Sequence, residues 1–156
     1  MLIFQISHAQ STGYVAGGAS ANLITPLSIE AGSGDLDFGD ILVSGKASKE
    51  TIQPKSGKEF IVKGQPNRNI SIAFNNVELN NYLWVSNNSG KSGTLKFTPN
   101  VVLKNKTKAL KSGDNLILQP NGLIGEIKLN VGGSISISPN QPVGDYEGTF
   151  TVSVSY

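Results

Sequence analysis

The chain has 156 residues, of which 38% are hydrophobic and 15% carry a charge, and its formal net charge is +2. A chain of this size and composition can bury one ordinary core, which excludes a disordered protein, and so small a net charge does not argue for nucleic-acid binding. The absence of cysteine excludes disulfides, thiol catalysis and cysteine metal sites.

The first ten residues, MLIFQISHAQ, combine a short apolar stretch with small residues around Ala9. This arrangement is typical of the end of a secretory signal peptide, so we expect residues 1–9 to be its remnant and the mature chain to begin near Gln10. The alternative is that these residues form a frayed first strand. No later stretch reaches the roughly 20 apolar residues of a membrane span. We therefore expect an exported protein without a transmembrane segment, in the periplasm or at the cell surface.

Residues 10–24 show the alternation of a strand ahead of the main domain. Small and apolar residues share one parity, and they are Val15, Gly17, Ala19, Ala21 and Leu23. Successive side chains of a strand point to opposite faces. The alternation continues across Pro26, which cannot donate to a ladder and so marks an edge position or a break between two strands. We interpret residues 10–24 as a strand-capable arm and residues 25–156 as a single domain.

Period-two alternation recurs throughout residues 25–156, whereas helical spacing is almost absent. The alternating runs are, in chain order, DLDFGDILV, NISIAF, TLKF, EIKLNV, SISIS and the terminal YEGTFTVSVSY. Clusters such as KSGKE, KSGDN and VGG lie between them and are typical of turns. Many short strands without helices predict an all-β fold, an antiparallel β-sandwich of the immunoglobulin-like type.

The terminal strand keeps its alternation to the last residue of the sequence. Its apolar parity contains Tyr146, Phe150, Val152, Val154 and Tyr156. We expect these residues to line an acceptor groove that the arm of another copy completes by strand addition. The alternative is that the arm pairs within its own domain, or stays unpaired, and that the terminal strand is central. Sequence predicts strands but not their partners, so both arrangements remain open.

Both ends of this domain resemble a known family. The stretches TPLSIEAGSGDLDFGDI and VGGSISISPNQPVGDYEGTFTVSVSY resemble the bacterial secreted family called domain of unknown function 4402, while residues 46–122 share only its rhythm of strands and turns. The terminal strand is also similar to those of spore-coat-U-like and chaperone–usher pilin subunits. This resemblance implies an incomplete sandwich that polymerises by donating an N-terminal strand, in an exported fimbrial or surface-structural subunit, with a periplasmic chaperone as a further partner.

Residue types that usually carry catalysis are scarce. The one histidine, His8, lies in the signal region, so the mature chain would lack the usual general base as well as a cysteine nucleophile. Asp35, Asp37 and Asp40 resemble the start of a calcium loop, but apolar residues alternate with them, as in a strand with an acidic outer face. We expect no catalytic residue, metal or cofactor; a carboxylate pair that hydrolyses a glycoside is the alternative, although no spacing selects one.

An aromatic pair offers a second kind of site. Tyr82 and Trp84 share a parity among several asparagines, and such rings can stack on a sugar or anchor a partner. A sandwich usually buries its single tryptophan, however, so we expect Trp84 to lie in the core. We favour a non-enzymatic surface subunit, and the rival interpretation is a self-contained secreted module that binds carbohydrate or another surface component through these rings and the lysine-rich stretch 91–111.

Overall fold

The computed structural model describes residues 17–156, which contain ten β-strands, one short α-helix and one 3₁₀ turn. Strands β1 to β10 span, in order, Ser28–Ala31, Ser48–Ile52, Lys58–Gly64, Asn69–Phe74, Val77–Asn80, Thr94–Leu103, Asn115–Ile117, Gln119–Asn121, Ile124–Ile137 and Val152–Ser155. The helix α1 spans Tyr82–Asn88, and the 3₁₀ turn spans Pro54–Ser56.

The strands form two sheets. The larger has the order β1-β3-β9-β6-β5, with β2 and β8 as further partners of β9, and the smaller has the order β10-β4-β7. All of these strand pairs are antiparallel. Residues from both sheets meet in one buried cluster, so the sheets pack against each other. The predicted class, an all-β antiparallel β-sandwich, is confirmed.

The core between the sheets has two parts. The larger cluster consists of Phe60, Val62, Ile70, Ile72, Val101, Leu118, Ile127, Leu129, Val131 and Val152. The smaller cluster consists of Leu95, Phe97, Ile135 and Ile137. Except for Leu118, which lies between β7 and β8, these residues occupy alternate positions of their strands, as the period-two pattern predicts. Burial of this apolar surface is the main contribution to stability, since the protein has no disulfide.

Strand β9 organises the larger sheet. Its 14 residues pair with β3 and then β2 along one edge, and with β6 along the other. The sequence predicts two strands here, EIKLNV and SISIS, separated by a turn at the Val-Gly-Gly step, and this boundary is wrong. A Cβ atom at Gly132 would lie 2.2 Å from the Ile52 carbonyl oxygen. The glycines therefore permit close packing inside a continuous strand, and they do not form a turn.

The predicted strand DLDFGDILV is also not formed. Residues 32–47 lie outside every strand of the described chain, although Leu36 and Phe38 are half-buried and pack against the core as their parity predicts. The terminal strand is shorter than predicted as well. Only Val152–Ser155 pairs with β4, while Glu147 forms an isolated bridge with Asn80 of β5.

Helix α1 lies where the sequence shows no helical spacing. It has seven residues, about two turns, which is too short for an apolar stripe to recur. Asn81 precedes it and is fully buried: its Nδ2 donates to the carbonyl oxygens of Lys91 (3.1 Å) and Val143 (3.0 Å), and its Oδ1 accepts from the Gly93 amide (2.8 Å). One buried amide thus fixes the helix to two loops. Within residues 17–156 no helix is long and apolar enough to cross a bilayer.

The packing at β9 predicts the effect of one methyl group. A Cβ atom at Gly133 would lie 2.4 Å from the Phe97 ring and 2.7 Å from the Thr98 carbonyl oxygen. We expect Gly133→Ala to lower the free energy of unfolding by about 1–3 kcal/mol, as overpacking does. Replacing a strand glycine by alanine otherwise gains at most about 1 kcal/mol, so the clash prevails.

Urea denaturation measures this change. The control is Ser136→Ala, at an exposed position of the same strand, which we expect to change stability by less than about 0.5 kcal/mol. Equal stability of Gly133→Ala and the natural chain would contradict the explanation of the Val-Gly-Gly step.

Candidate functional site: an open seam beside the terminal strand

Two edge strands border one side of the sandwich. β1 ends the order of the larger sheet and β10 ends the order of the smaller, and the two strands contact each other. The two strands do not pair, and we call the side of the sandwich formed by residues 28–31 and residues 148–155 the open seam. An edge strand presents unpaired amide and carbonyl groups that can pair with another strand.

The hydrogen bonds of β4 show which groups of β10 are free. The Ile72 amide donates to the Asp114 carbonyl oxygen (3.1 Å), and the Ile72 carbonyl accepts from the Gly113 amide (2.8 Å). Both bonds point away from β10. Successive residues of a strand direct their backbone groups to opposite sides, so Ala73 is a residue of β4 that faces β10.

The register between β4 and β10 shows which way the backbone groups of β10 point. Ala73 lies opposite Ser153, so the backbone groups of Ser153 face β4. The backbone groups of Val152 and Val154 then point into the open seam. Residues 148–150, just before β10, lie outside every strand and form no backbone–backbone hydrogen bond within residues 17–156.

A cavity of 330 Å³ lies at the open seam. Its apolar lining includes Phe60, Phe97 and Phe150 from the domain core, together with Leu36 and Phe38. The Phe97 ring is central, with its centroid 5.5 Å from that of Phe150 and 6.2 Å from that of Phe38. The cavity is partly open to solvent. It is therefore a groove bordered by core side chains at the edge of the sandwich.

Four of the five predicted acceptor residues lie along the open seam. Phe150 lines the cavity, Val152 is buried in the larger core cluster, and Val154 is half-buried against it. Tyr156 follows on the same parity and is 42% exposed. One short stretch, residues 150–156, thus supplies both unpaired backbone groups and apolar side chains to the seam.

The fifth predicted acceptor residue, Tyr146, occupies a different place. Its hydroxyl donates to the Pro142 carbonyl oxygen (2.7 Å) and accepts from the Gln141 side-chain amide (2.8 Å). It packs against the smaller core cluster and is not part of the cavity lining. We assign Tyr146 a role in closing the loop before the terminal segment.

Sequence reasoning missed a hydrogen-bonded anchor at the end of the open seam. The Tyr156 hydroxyl donates to the Thr25 carbonyl oxygen (2.6 Å) and accepts from the Gln65 amide (2.8 Å), while the Thr25 amide donates to the Gln65 side chain (3.0 Å). We call these three residues the Tyr156 latch. The Arg68 guanidinium lies 5.5 Å from the centre of the Tyr156 ring, within cation–π distance. The latch fixes the root of the arm beside β10.

The described part of the arm, residues 17–24, lies outside the seam of its own domain. Residues 17–24 belong to no strand, Ala19 and Ala21 are exposed, and Leu23 is 89% exposed. A Cβ atom at Gly17 would meet no other atom within 4 Å. Val15, the first predicted donor residue, lies outside the described residues. The structure therefore does not pair residues 17–24 with their own domain.

The aromatic pair lies on α1, and Trp84 is not in the core. Trp84 is half-buried, and its ring covers two glycines, so that a Cβ atom at Gly144 would lie 2.9 Å from it and one at Gly90 2.3 Å. Beside it, Tyr82 is 57% and Leu83 66% exposed. Trp84 therefore packs against loops and does not lie, as expected, in the sandwich core.

The structure separates these rings from most of the lysines. α1 precedes the first residue of β6, whereas the lysines of residues 104–111 follow its last residue. A strand of ten residues is roughly 30 Å long. The rings and the basic turn therefore do not form one binding surface.

The acidic residues near the seam do not converge. Asp35 pairs with Lys58 (3.2 Å) and the Asp37 carboxylate accepts from the Gly39 amide (2.8 Å). No group of three potential metal-ligating side chains was found within residues 17–156. A hydrogen bond from Lys104 lowers the pKa of Glu59 below its ordinary value, but this pair is not part of the cavity lining.

The structure and the comparisons identify the class and then the family. The protein is an antiparallel β-sandwich with one open side. Residues 51–156 match the family described as "Domain of unknown function (DUF4402)", and the chain belongs to this family. The resemblance to this family inferred from the sequence is thereby confirmed. The match includes the stretch VGGSISISPNQPVGDYEGTFTVSVSY but begins after TPLSIEAGSGDLDFGDI, and the similarity to pilin subunits stays a prediction. No curated protein and no solved structure matches the chain.

The Tyr156 latch predicts a local and a global effect. Tyr156→Phe removes the hydroxyl from the Thr25 carbonyl and the Gln65 amide, so we expect a loss of about 0.5–1.5 kcal/mol in unfolding free energy and faster hydrogen exchange at the Gln65 amide. Chemical denaturation and amide exchange measure the two effects. The control, Tyr82→Phe at an exposed ring, should change neither, and unchanged exchange at Gln65 would show that the latch does not form in solution.

Proposed function

We propose that this protein is an exported, non-enzymatic structural subunit of a surface or fimbria-like assembly. The arm of one copy adds as a strand to the open seam of the next copy. The observation that carries the proposal is an unpaired strand edge lying beside a groove that exposes core aromatic side chains. Strand addition uses both features, because the edge supplies affinity through main-chain hydrogen bonds and the pockets supply specificity for alternate side chains.

The pattern of the arm fits such a seam. Its small and apolar residues recur at every second position, about 6.6 Å apart in an extended strand. Small residues such as Ala19 and Ala21 can enter a gap between packed sheets without a clash. Leu23, which is 89% exposed in the single chain, would bury its side chain on addition. The polar parity of the arm, including Ser20 and Asn22, would then face solvent.

The geometry of the arm's root favours a neighbour over the same chain. The latch engages both backbone groups of Thr25, and Pro26 has no amide to donate. A tight reversal that returned the arm to its own seam would break this anchor. Fifteen residues, 10–24, extend about 50 Å, whereas the eight residues 148–155 extend about 26 Å. The arm is therefore long enough to cross the gap to another copy and to fill its seam.

Export of such a subunit calls for a partner before assembly. An exposed strand edge beside apolar side chains is an aggregation hazard. A periplasmic chaperone that covers the open seam until the arm of the next copy arrives is the partner that fits this hazard. The assembled form would then contain no free seam except at its end.

One pair of substitutions tests the proposal. The mature chain beginning at Gln10 should form concentration-dependent oligomers in size-exclusion chromatography with light scattering. Ala21→Asp places a charge on the donor face and should raise the concentration needed for assembly at least about tenfold, which corresponds to 1.4 kcal/mol. Ser20→Asp adds the same charge to the opposite face and should assemble normally. A natural chain that stays monomeric at high concentration, or equal assembly by both variants, would refute strand addition.

A second candidate function rests on α1. Two neighbouring apolar side chains, Tyr82 and Leu83, are more than half exposed there, which favours binding of a carbohydrate or another surface component through this helix. Tyr82→Ala should then abolish binding on a glycan array, while Tyr82→Phe, which keeps the stacking ring, should retain it. Equal binding by both variants, with folding intact, would remove this candidate.

A further inference from the structure

A second segment of the chain occupies part of the open seam. Residues 33–46 connect β1 with β2 and form no backbone–backbone hydrogen bond within residues 17–156. Three half-buried side chains, Leu36, Phe38 and Ile41, pack against the smaller core cluster. At one end, Lys58 contacts the Gly34 carbonyl oxygen and the Asp35 carboxylate. The segment is therefore held by side chains alone.

This segment shares the cavity with the terminal strand. Leu36 and Phe38 line it together with Phe150, and the Phe38 ring packs edge to face on Phe97. Leu36 and Phe38 are two positions apart, which is the spacing of apolar residues along the arm. Leu36 and Phe38 form one wall of the cavity, so a strand that entered it would either pack against them or displace them.

We propose that residues 33–46 are a displaceable strap, which covers the apolar side of the open seam in the single subunit and leaves when the arm of a second copy enters. This inference rests on the proposed strand addition. The strap makes no backbone hydrogen bond to the free edge of β10, whereas an entering strand pairs with the backbone groups of Val152 and Val154. A ligand shifts an equilibrium between two states only if it binds one state better than the other. The entering strand meets this condition, because it forms backbone hydrogen bonds to β10 that the strap does not form.

The strap controls when the seam becomes available for assembly. Segments with few buried contacts and no ladder hydrogen bonds open at lower cost than core strands. Covering Phe97 and Phe150 in the unassembled subunit limits the apolar surface available for nonspecific association. Release of the strap then becomes a step of assembly, and substitutions that loosen the strap accelerate it.

Thiol labelling tests the displacement directly, because the chain contains no cysteine. In the mature full chain, Ile41→Cys places a thiol on the packed side of the strap, and Leu42→Cys places one at a neighbouring position that is 86% exposed in the natural residue. In the monomer, a maleimide should label Ile41→Cys at least about tenfold more slowly than Leu42→Cys. In the oligomer, the two rates should become similar.

The outcomes separate this inference from the proposed function. Oligomers in which Ile41→Cys stays as protected as in the monomer would overturn the strap and leave strand addition standing. Absence of oligomers for the natural chain would overturn strand addition, and the strap with it. Equally fast labelling of both variants in the monomer would show that the strap does not cover the seam.

Assembly kinetics provide a second readout. Phe38→Ala should assemble several-fold faster than the natural chain, because it removes a strap contact to Phe97, while Leu42→Ala should assemble at the natural rate. Light scattering over time measures both rates. Unchanged or slower assembly of a folded Phe38→Ala variant would overturn the strap, and if that variant does not fold, the labelling of Ile41→Cys decides.

Discussion

The close approach of neighbouring chain segments to β9 is the constraint on which the rest of the structure depends. At Gly132 and Gly133 a carbonyl oxygen and an aromatic ring occupy the space that a side chain would fill. β9 can therefore run for 14 residues without a break and pair with several strands in turn. The same approach seats Phe97 over Gly133, which positions the ring cluster at the cavity. One glycine pair thus supports both the larger sheet and the wall of the open seam.

The unequal size of the two sheets explains why a seam exists. Seven strands form the larger sheet and three the smaller within residues 17–156, so three strands must cover a wider surface. Loops, among them residues 33–46, add half-buried side chains to this cover, and a groove partly open to solvent remains beside Phe150. The places that lack ladder hydrogen bonds, residues 33–46 and 148–150, meet at this cavity. The segments without ladder hydrogen bonds and the candidate site therefore lie at the same place, where the three-stranded sheet does not cover the larger sheet.

The proposed assembly links the latch, the arm and the strap in one arrangement. The Tyr156 hydroxyl holds Thr25, so the arm leaves the domain at a fixed point beside β10. In the proposed assembly the arm would then be presented to a neighbour, while the strap borders its own domain's cavity. Addition of a strand would replace side-chain contacts by main-chain pairing and bury the exposed Leu23. The arm and the strap lack ladder hydrogen bonds in the single chain, and strand addition would supply them to the arm.

The sequence by itself determined the fold class and the inward faces. Period-two alternation assigned Ile70, Ile72, Leu129 and Val152 to the core, because the side-chain direction of a strand depends only on parity. It also identified Leu36, Phe38 and Phe150 as inward residues, although none of the three lies in a strand. Only the tertiary structure decided that the Val-Gly-Gly step is strand, that α1 exists, and that Thr25, Gln65 and Tyr156 meet. These depend on neighbours distant in sequence, which close approach and hydrogen bonding select and which local alternation does not encode.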